Sequence, residues 1–469
     1  MSRRVAAIVA VSLAVASLAF VLHDGLRVSS GRGPLSDPID FLAFRCAARV
    51  AAQGTDPYLA EPLRTCERDA LAESHLRIVP HLVVPAPLPP YALLAFAPLG
   101  TVPFRTGCAW WLAILIAAYA STCVVLARAS RTSLLVVVPS LLGADLLASA
   151  LIGQIVPIVV LAACVAAAFL ERRKEVAAAI AAAATLLEPH LGLPLCIALW
   201  WYAPRSRWPL LGCVMLLAVL TLWYGGLARS IEYVANVLPA QERSEGLAFG
   251  AQYGLSASLA VLGVPKAVAL TAGAESYAIM AAVGMVLGRR AARRTGEPAF
   301  AVLAPITTVL IGGPYVHIHQ MAAALPLAAY VLAARPAPLA RIATAFAICC
   351  LAVPWQSVIE IGPVMAAVFP HTASAAHVAP GHVLDAFAAR DRLAEDAWGG
   401  WAAAHIYDSR TPYEALLVKL PTWTGLVVLV SLVVGLPRTA LAPLTANGLT
   451  VPHRHSSGPG RSAGRYRRA

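Results

Sequence analysis

The sequence predicts an all-α protein, a polytopic bundle of transmembrane helices, and three observations carry that expectation. Of its 469 residues, 59% are hydrophobic and only 13% charged, against about 25% charged in soluble domains. The mean hydropathy is +0.71. The apolar runs are long and rich in Ala, Leu and Val, without the period-two alternation of a membrane barrel, so helices are the expected spanning element. The net charge of +12 does not point to nucleic acid. The basic residues fall in short clusters between apolar runs, which is the positive-inside pattern.

Arg3 and Arg4 place the N-terminus in the cytoplasm, and the run Val5 to Leu22 reads as an uncleaved first span. A large external loop, about 23–106, follows. Its segment Leu88 to Leu99 is short and bounded by prolines, which predicts an interfacial or half-inserted helix. Gly107–Ala127 then returns to Arg128 and Arg131 inside. Ser133–Ala150 goes out to Gly153-Gln154, and Ile155–Leu170 returns to Arg172-Arg173-Lys174. Val176–Leu187 goes out to Glu188-Pro189-His190, and Leu191–Tyr202 returns to Arg205 and Arg207.

Trp208–Gly226 opens onto a second external loop, about 227–256, with a short helix expected over Ala257 to Gly263. Ala267–Leu287 returns to Arg289 and Arg290. Ala299–Tyr315 goes out to His317-Ile318-His319-Gln320, and Met321–Ala334 returns to Arg335 and Arg341. Ile342–Val358 goes out to a third external loop, about 359–420, and Thr422–Leu436 returns to Arg438. Roughly 10–13 spans result, with both ends inside. Residues 1–438 form the expected membrane domain. Residues 439–469 read as a basic, disordered cytoplasmic tail able to touch anionic lipid.

Cys46 and Cys66, of nine cysteines, share the first loop and are able to pair if that loop faces an oxidising compartment. No CxxC or Cys/His metal spacing occurs.

The sorting of polar groups predicts chemistry on the outer side. Cytoplasmic turns are arginine-rich. Short external turns lack Lys and Arg and carry Gln154, Glu188, His190, His317, His319 and Gln320, on the same side as Asp37 and Asp40. A transporter would carry ionisable groups at mid-span depth. Asp145 is the main residue of that kind, with no partner visible in the sequence.

Each candidate also has a structural reading. Asp37 suits a helix N-cap, Pro38 the first helical position and Asp40 the third. Arg45, Arg49 and Gln53, at spacings of four, predict a polar stripe, with Asp40 pointing away toward Phe44, Ala47 and Ala51. A carboxylate on that apolar side is partly desolvated and the better base for it. His317 and His319 cap a span or hold a phosphate or sugar hydroxyl. Glu188-Pro189 ends a helix, Asp56-Pro57-Tyr58 is a turn signal, and Gln241 to Ser256 a solvated face. Trp398, Trp401, His405 and Tyr407 in the third loop stack on sugars or form an interfacial aromatic belt.

The ordered set Asp40-Phe41, Ala47-Ala48-Arg49, Gly54-Thr55-Asp56-Pro57-Tyr58, Pro89-Pro90-Tyr91 with Phe96-Ala97-Pro98-Leu99, Gly153-Gln154, Glu188-Pro189, Leu255-Ser256 and His317 to His319 resembles glycosyltransferase family 87. These are polytopic enzymes of the GT-C type, among them polyprenyl-phosphate-mannose-dependent α-1,2-mannosyltransferases and arabinofuranosyltransferases. The resemblance implies a GT-C-like bundle in the cytoplasmic membrane with its site on the outer face. It implies transfer of a hexose, mannose first, from a polyprenyl-phosphate sugar to a lipid or glycan acceptor. It makes Asp40 the catalytic base, and we place Asp37, Tyr58, Tyr91, Gln154, Glu188, His190, Arg243, His317, His319 and Gln320 around the substrates.

No cofactor is required by this reading; a divalent cation is the one candidate. The chain departs from the family at two places. Gly153-Gln154-Ile155-Val156 stands where members commonly show Gly-Gln-x-Asn, and Glu188-Pro189 where they commonly show Lys-Pro. The second removes a positive charge near an anionic donor, and His190, Arg243 and His319 are the candidates to replace it. An arabinofuranosyltransferase of the same fold, a lipid-linked sugar flippase and a non-catalytic scaffold are the alternatives.

Overall fold

The computed structural model of the chain describes residues 38–74, 83–244, 246, 252–334, 337–355 and 416–437. The expected first span, Asp37, the third external loop as far as residue 415 with its aromatic residues, and the basic tail lie outside the described residues. Among the described residues the fold is all-α. A lone bridge between Gln252 and His317 is its only strand-like pairing.

The first-loop region folds into three helices, α1 (Ile39–Ala52), α2 (Ala60–Ser74) and α3 (Pro90–Gly100). The short proline-bounded helix expected over 88–99 is α3. These helices pack an apolar core around Phe41, Phe44, Leu63, Leu93 and Phe96, into which Phe104, Trp111, Leu115 and Tyr233 also reach. Two fixtures close it. Cys46 of α1 and Cys66 of α2 form a disulfide. Glu67, fully buried, accepts the Val84 N–H at 3.0 Å. Burial raises the Glu67 carboxyl well above the ordinary carboxylate range.

The polar stripe expected on α1 does not exist as such, because the helix is buried on nearly every side. Arg45 is buried too. Its Nε donates to Leu99 O at 3.1 Å and its Nη2 to Val102 O at 2.6 Å, with the guanidinium 5.7 Å from the Phe104 ring centre. The carbonyls ending α3 need donors, and an arginine reaching across from α1 supplies them.

The bundle proper comprises α4 (Phe104–Ser130), α5 (Leu134–Ile152), α6 (Val156–Glu171), α7 (Glu175–Leu187), α8 (Pro189–Tyr202) and α9 (Arg207–Glu232). It continues through α10 (Leu238–Ser244), α11 (Leu255–Val261), α12 (Lys266–Thr295), α13 (Phe300–Gly312), α14 (Leu325–Ala334), α15 (Pro338–Ala352) and α16 (Leu420–Val434). Among the described residues, four stretches are long and apolar enough to cross a membrane: 104–130, 134–152, 204–242 and 266–295. Shorter apolar helices fill the interior, where α6, α7, α8, α13 and α14 pack a core dominated by Ala, Val and Leu. The outer helix α9 instead exposes Trp208 at 77% and Trp223 at 73%. Apolar faces of that extent belong against lipid, and the chain is a membrane protein.

Residues 227–244, expected as loop, are helical. Gly226, at φ 76°, kinks α9 rather than ending it. The chain then runs through a π-helical turn (Tyr233–Val237) into α10. An i,i+4 bond from Asn236 to Glu232 at 2.7 Å supports the continuation.

Candidate active site

Helix α1 begins one residue later than expected. Pro38 is the N-cap and Ile39 the first helical residue, so Asp40 falls in the first turn at the second position. The helix dipole still favours a carboxylate there.

Asp40 is half-buried and faces the break between α5 and α6. Gln154 Nε2 donates to Asp40 Oδ2 at 2.7 Å, while Gln154 Oε1 accepts the Ile155 N–H at 3.3 Å. Gly153 makes this contact possible. It ends α5 in the left-handed region at φ 83°, which glycine adopts without penalty. A Cβ on it would lie 2.5 Å from Phe41 Cβ and 2.9 Å from Phe41 N. Trp111 Nε1 fixes the turn from the other side by donating to Gly153 O at 2.8 Å. The break thus sits directly on the first turn of α1.

Glu188 occupies the turn between α7 and α8. Its backbone carbonyl accepts from Leu191 N and Gly192 N, yet its side chain makes no capping bond. The carboxyl is instead buried, 7% exposed, with Oε2 3.4 Å from His190 Nδ1. Burial first, and the charge of Asp40 second, push it up to about 8.

His190 leads into a continuous aromatic array. Its ring meets Tyr315 edge-on at 5.8 Å, Tyr315 meets His317 edge-on at 4.7 Å, and His317 stacks on His319 at 5.2 Å. His317 precedes a 3₁₀ stretch, Ile318–Ala324, and Gln320 Oε1 accepts the His317 N–H at 2.8 Å. His190 Nε2 and His319 Nε2 are buried without a hydrogen-bond partner.

Gln252 sets the proton on His317. Its Oε1 accepts the Val316 N–H at 2.7 Å, so its Nε2 is the atom 2.9 Å from His317 Nε2. An amide nitrogen only donates, so that ring nitrogen must accept, and a neutral His317 carries its proton on Nδ1. Lys419, buried just before α16, in turn donates to Gln252 O and sits 5.0 Å from the Tyr253 ring centre. Gln241, Gln252, Tyr253 and Ser256 are buried, so among the described residues this stretch is not a solvated face.

The structure therefore joins Asp40 to Gln154, Glu188 to His190, and His190 through Tyr315 to His317, His319 and Gln320. Tyr91 stands beside this group, but its hydroxyl donates to Leu186 O at 2.6 Å. Tyr58 donates to Leu88 O at 2.8 Å and packs on Tyr233, so it props the first-loop core. Arg243 lies on α10, and its side chain is outside the described residues. Asp145 sits apart, in a π-helical turn of α5 (Leu142–Leu147), with both carboxyl oxygens buried and unpartnered. Sequence reasoning missed Tyr315, Gln252 and Lys419 as parts of the site. A lone lysine beside an apolar run was the available signal for Lys419. Among the described residues no group of three or more His, Cys, Asp or Glu is placed to hold a metal ion.

Neither the curated proteins nor the solved structures contain a match to this chain. The family model for glycosyltransferase family 87 matches residues 88–314, a stretch that holds Tyr91, Gln154, Glu188 and His190 and stops short of Tyr315. Residues 88–314 of this membrane protein thus resemble glycosyltransferase family 87, a family of sugar-transferring enzymes.

Proposed function

We propose that the protein transfers a hexose, mannose first, from a polyprenyl-phosphate sugar to a hydroxyl of a lipid or glycan acceptor. The donor's lipid tail lies in the bilayer and its head reaches the polar cluster. Asp40 takes the proton of the acceptor hydroxyl. The oxygen attacks the anomeric carbon from the face opposite the phosphate, the glycosidic bond forms with inversion, and polyprenyl phosphate leaves with the bonding pair. Phosphate is a good leaving group, so one carboxylate base suffices, unlike glycoside hydrolysis with its two. Hydrogen bonds from His190, His317 and His319 steady the departing charge.

The observation that carries this reading is the 2.7 Å bond from Gln154 to Asp40. It holds a half-buried carboxylate whose charge reaches the buried Glu188. A base positioned in this way contributes about 10²–10⁴ in rate. The Cys46–Cys66 disulfide, on the same helix as Asp40, supports an oxidising side for the site. That side is the outer face of the cytoplasmic membrane, with both chain ends cytoplasmic by the arginine distribution.

The test incubates membranes bearing the protein with labelled polyprenyl-phosphate mannose and, separately, with the arabinofuranose analogue. Label moving from the mannose donor into lipid or glycan is the expected result. Transfer from the arabinofuranose donor alone would replace the sugar assignment. Transfer from neither would overturn the donor class.

A further inference from the structure

We propose that Glu188 binds the phosphate of the sugar donor as a neutral carboxylic acid, donating a hydrogen bond to a phosphate oxygen. This role rests on the reading of the donor as a phosphate-linked sugar.

Glu188 stands where a carboxylate ordinarily caps a helix, at the N-cap of the 14-residue helix α8, and it does not cap. The side chain goes into the polar cluster instead and is buried there. The groups facing it come from four elements: Asp40 on α1, Tyr91 on α3, Tyr233 in the π-helical turn after α9, and His190 on α8 itself. Both tyrosine protons are already committed. Tyr91 donates to Leu186 O at 2.6 Å and Tyr233 to Pro87 O at 3.3 Å. None of these four neighbours is a lysine or arginine, and one is a carboxylate. Among the described residues, an ionised Glu188 would therefore sit buried next to Asp40 without a lysine or arginine facing it, which favours keeping its proton. Its carboxyl stands near 8, so the acid form dominates at neutral pH.

Two independent observations point to an anion at this place. His190 Nε2 and His319 Nε2 are buried with no partner, although each nitrogen is able to donate when it carries the proton. Helix α8 begins at the same turn and brings the partial positive charge of its N-terminus, with its Leu191 and Gly192 N–H groups already taken by Glu188 O. A phosphate oxygen arriving here meets two imidazoles, a helix N-terminus and Glu188. As a carboxylate Glu188 would repel it. As an acid it offers an O–H to an anionic acceptor, the shorter and stronger class of hydrogen bond.

The experiment measures KM and kcat for polyprenyl-phosphate mannose with the purified full-length protein between pH 6 and 10. This phosphodiester carries one charge throughout that range, so a limb in the profile reports the protein. For the wild type, KM is expected to rise above pH 8, approaching tenfold per pH unit. In Glu188→Gln, which still donates but does not ionise, KM is expected to stay flat while remaining within a few-fold of the wild type at pH 7. Glu188→Ala, folded by thermal unfolding, should show weakened binding at every pH. A wild-type KM that is flat to pH 10, or a limb that persists in Glu188→Gln, overturns the role. Direct binding of the same lipid, followed by thermal shift, separates this from the parent reading. Binding with the expected limb but without transfer refutes the reaction and upholds the phosphate contact. Transfer with a flat profile refutes the contact and leaves the reaction.

Discussion

Replacing Gly153 by alanine tests whether the α5–α6 break is what aims Gln154 at Asp40. The residue sits at φ 83°, which costs an L side chain about 1–2 kcal/mol. The new Cβ would lie 2.5 Å from Phe41 Cβ and 2.9 Å from Phe41 N. Phe41 cannot yield cheaply. Its ring packs at 6.0 Å against both Phe104 and Trp111, and its backbone belongs to the first turn of α1. Overpacking of this kind costs about 1–3 kcal/mol, so the total is roughly 2–5 kcal/mol. The least costly relief slides the break away from α1, and the 2.7 Å bond from Gln154 to Asp40 is lost with it. A displacement near 1 Å at a reacting group is worth about 10²-fold in rate. Sugar transfer measured in membranes at matched protein levels should fall by about that factor. Gly153→Asn separates the two causes, because asparagine tolerates the left-handed backbone but carries the same Cβ. It should fail nearly as badly as alanine. Near-normal transfer by Gly153→Ala would refute the claim that close packing on Phe41 positions the catalytic pair. Recovery in Gly153→Asn alone would assign the effect to backbone strain instead.

Gln252→Glu keeps the shape but presents an acceptor to His317 Nε2, forcing the proton onto that nitrogen; transfer should drop by about 10²-fold with the fold retained, and an unchanged rate would show that the His317 tautomer is irrelevant. Removing the disulfide by Cys46→Ala with Cys66→Ala opens a link spanning 20 residues, worth about 3 kcal/mol by loop-closure entropy. Thermal inactivation should come earlier and proteolysis within 39–74 should speed up, while thiol reagents that do not cross membranes should label the reduced wild type only from outside.

Much of the architecture was visible in the pattern of apolar runs and arginines. The turns at Gly153-Gln154, Glu188 and His317 fall where the alternation of spans placed them, and these turns build the polar cluster. The helix over Pro90–Gly100 was legible from its bounding prolines. What was hidden depends on partners distant in sequence. Arg45 read as part of a solvated stripe because its acceptors, Leu99 O and Val102 O, lie more than fifty residues away. Gln252 read as loop surface because its burial comes from Val316, His317 and Lys419. The Gly225-Gly226 pair with Arg229, Glu232 and Asn236 beyond it looked like the end of a helix. Glycine supports a kink as readily as a stop, and local composition does not distinguish the two.

The central claim is that Asp40 is the base. Asp40→Asn keeps the size of the side chain and removes its basicity. Transfer from labelled polyprenyl-phosphate mannose, measured in membranes at equal protein levels, should fall by about 10²–10⁴-fold, with KM for the donor little changed. Near-normal transfer by Asp40→Asn would contradict the account.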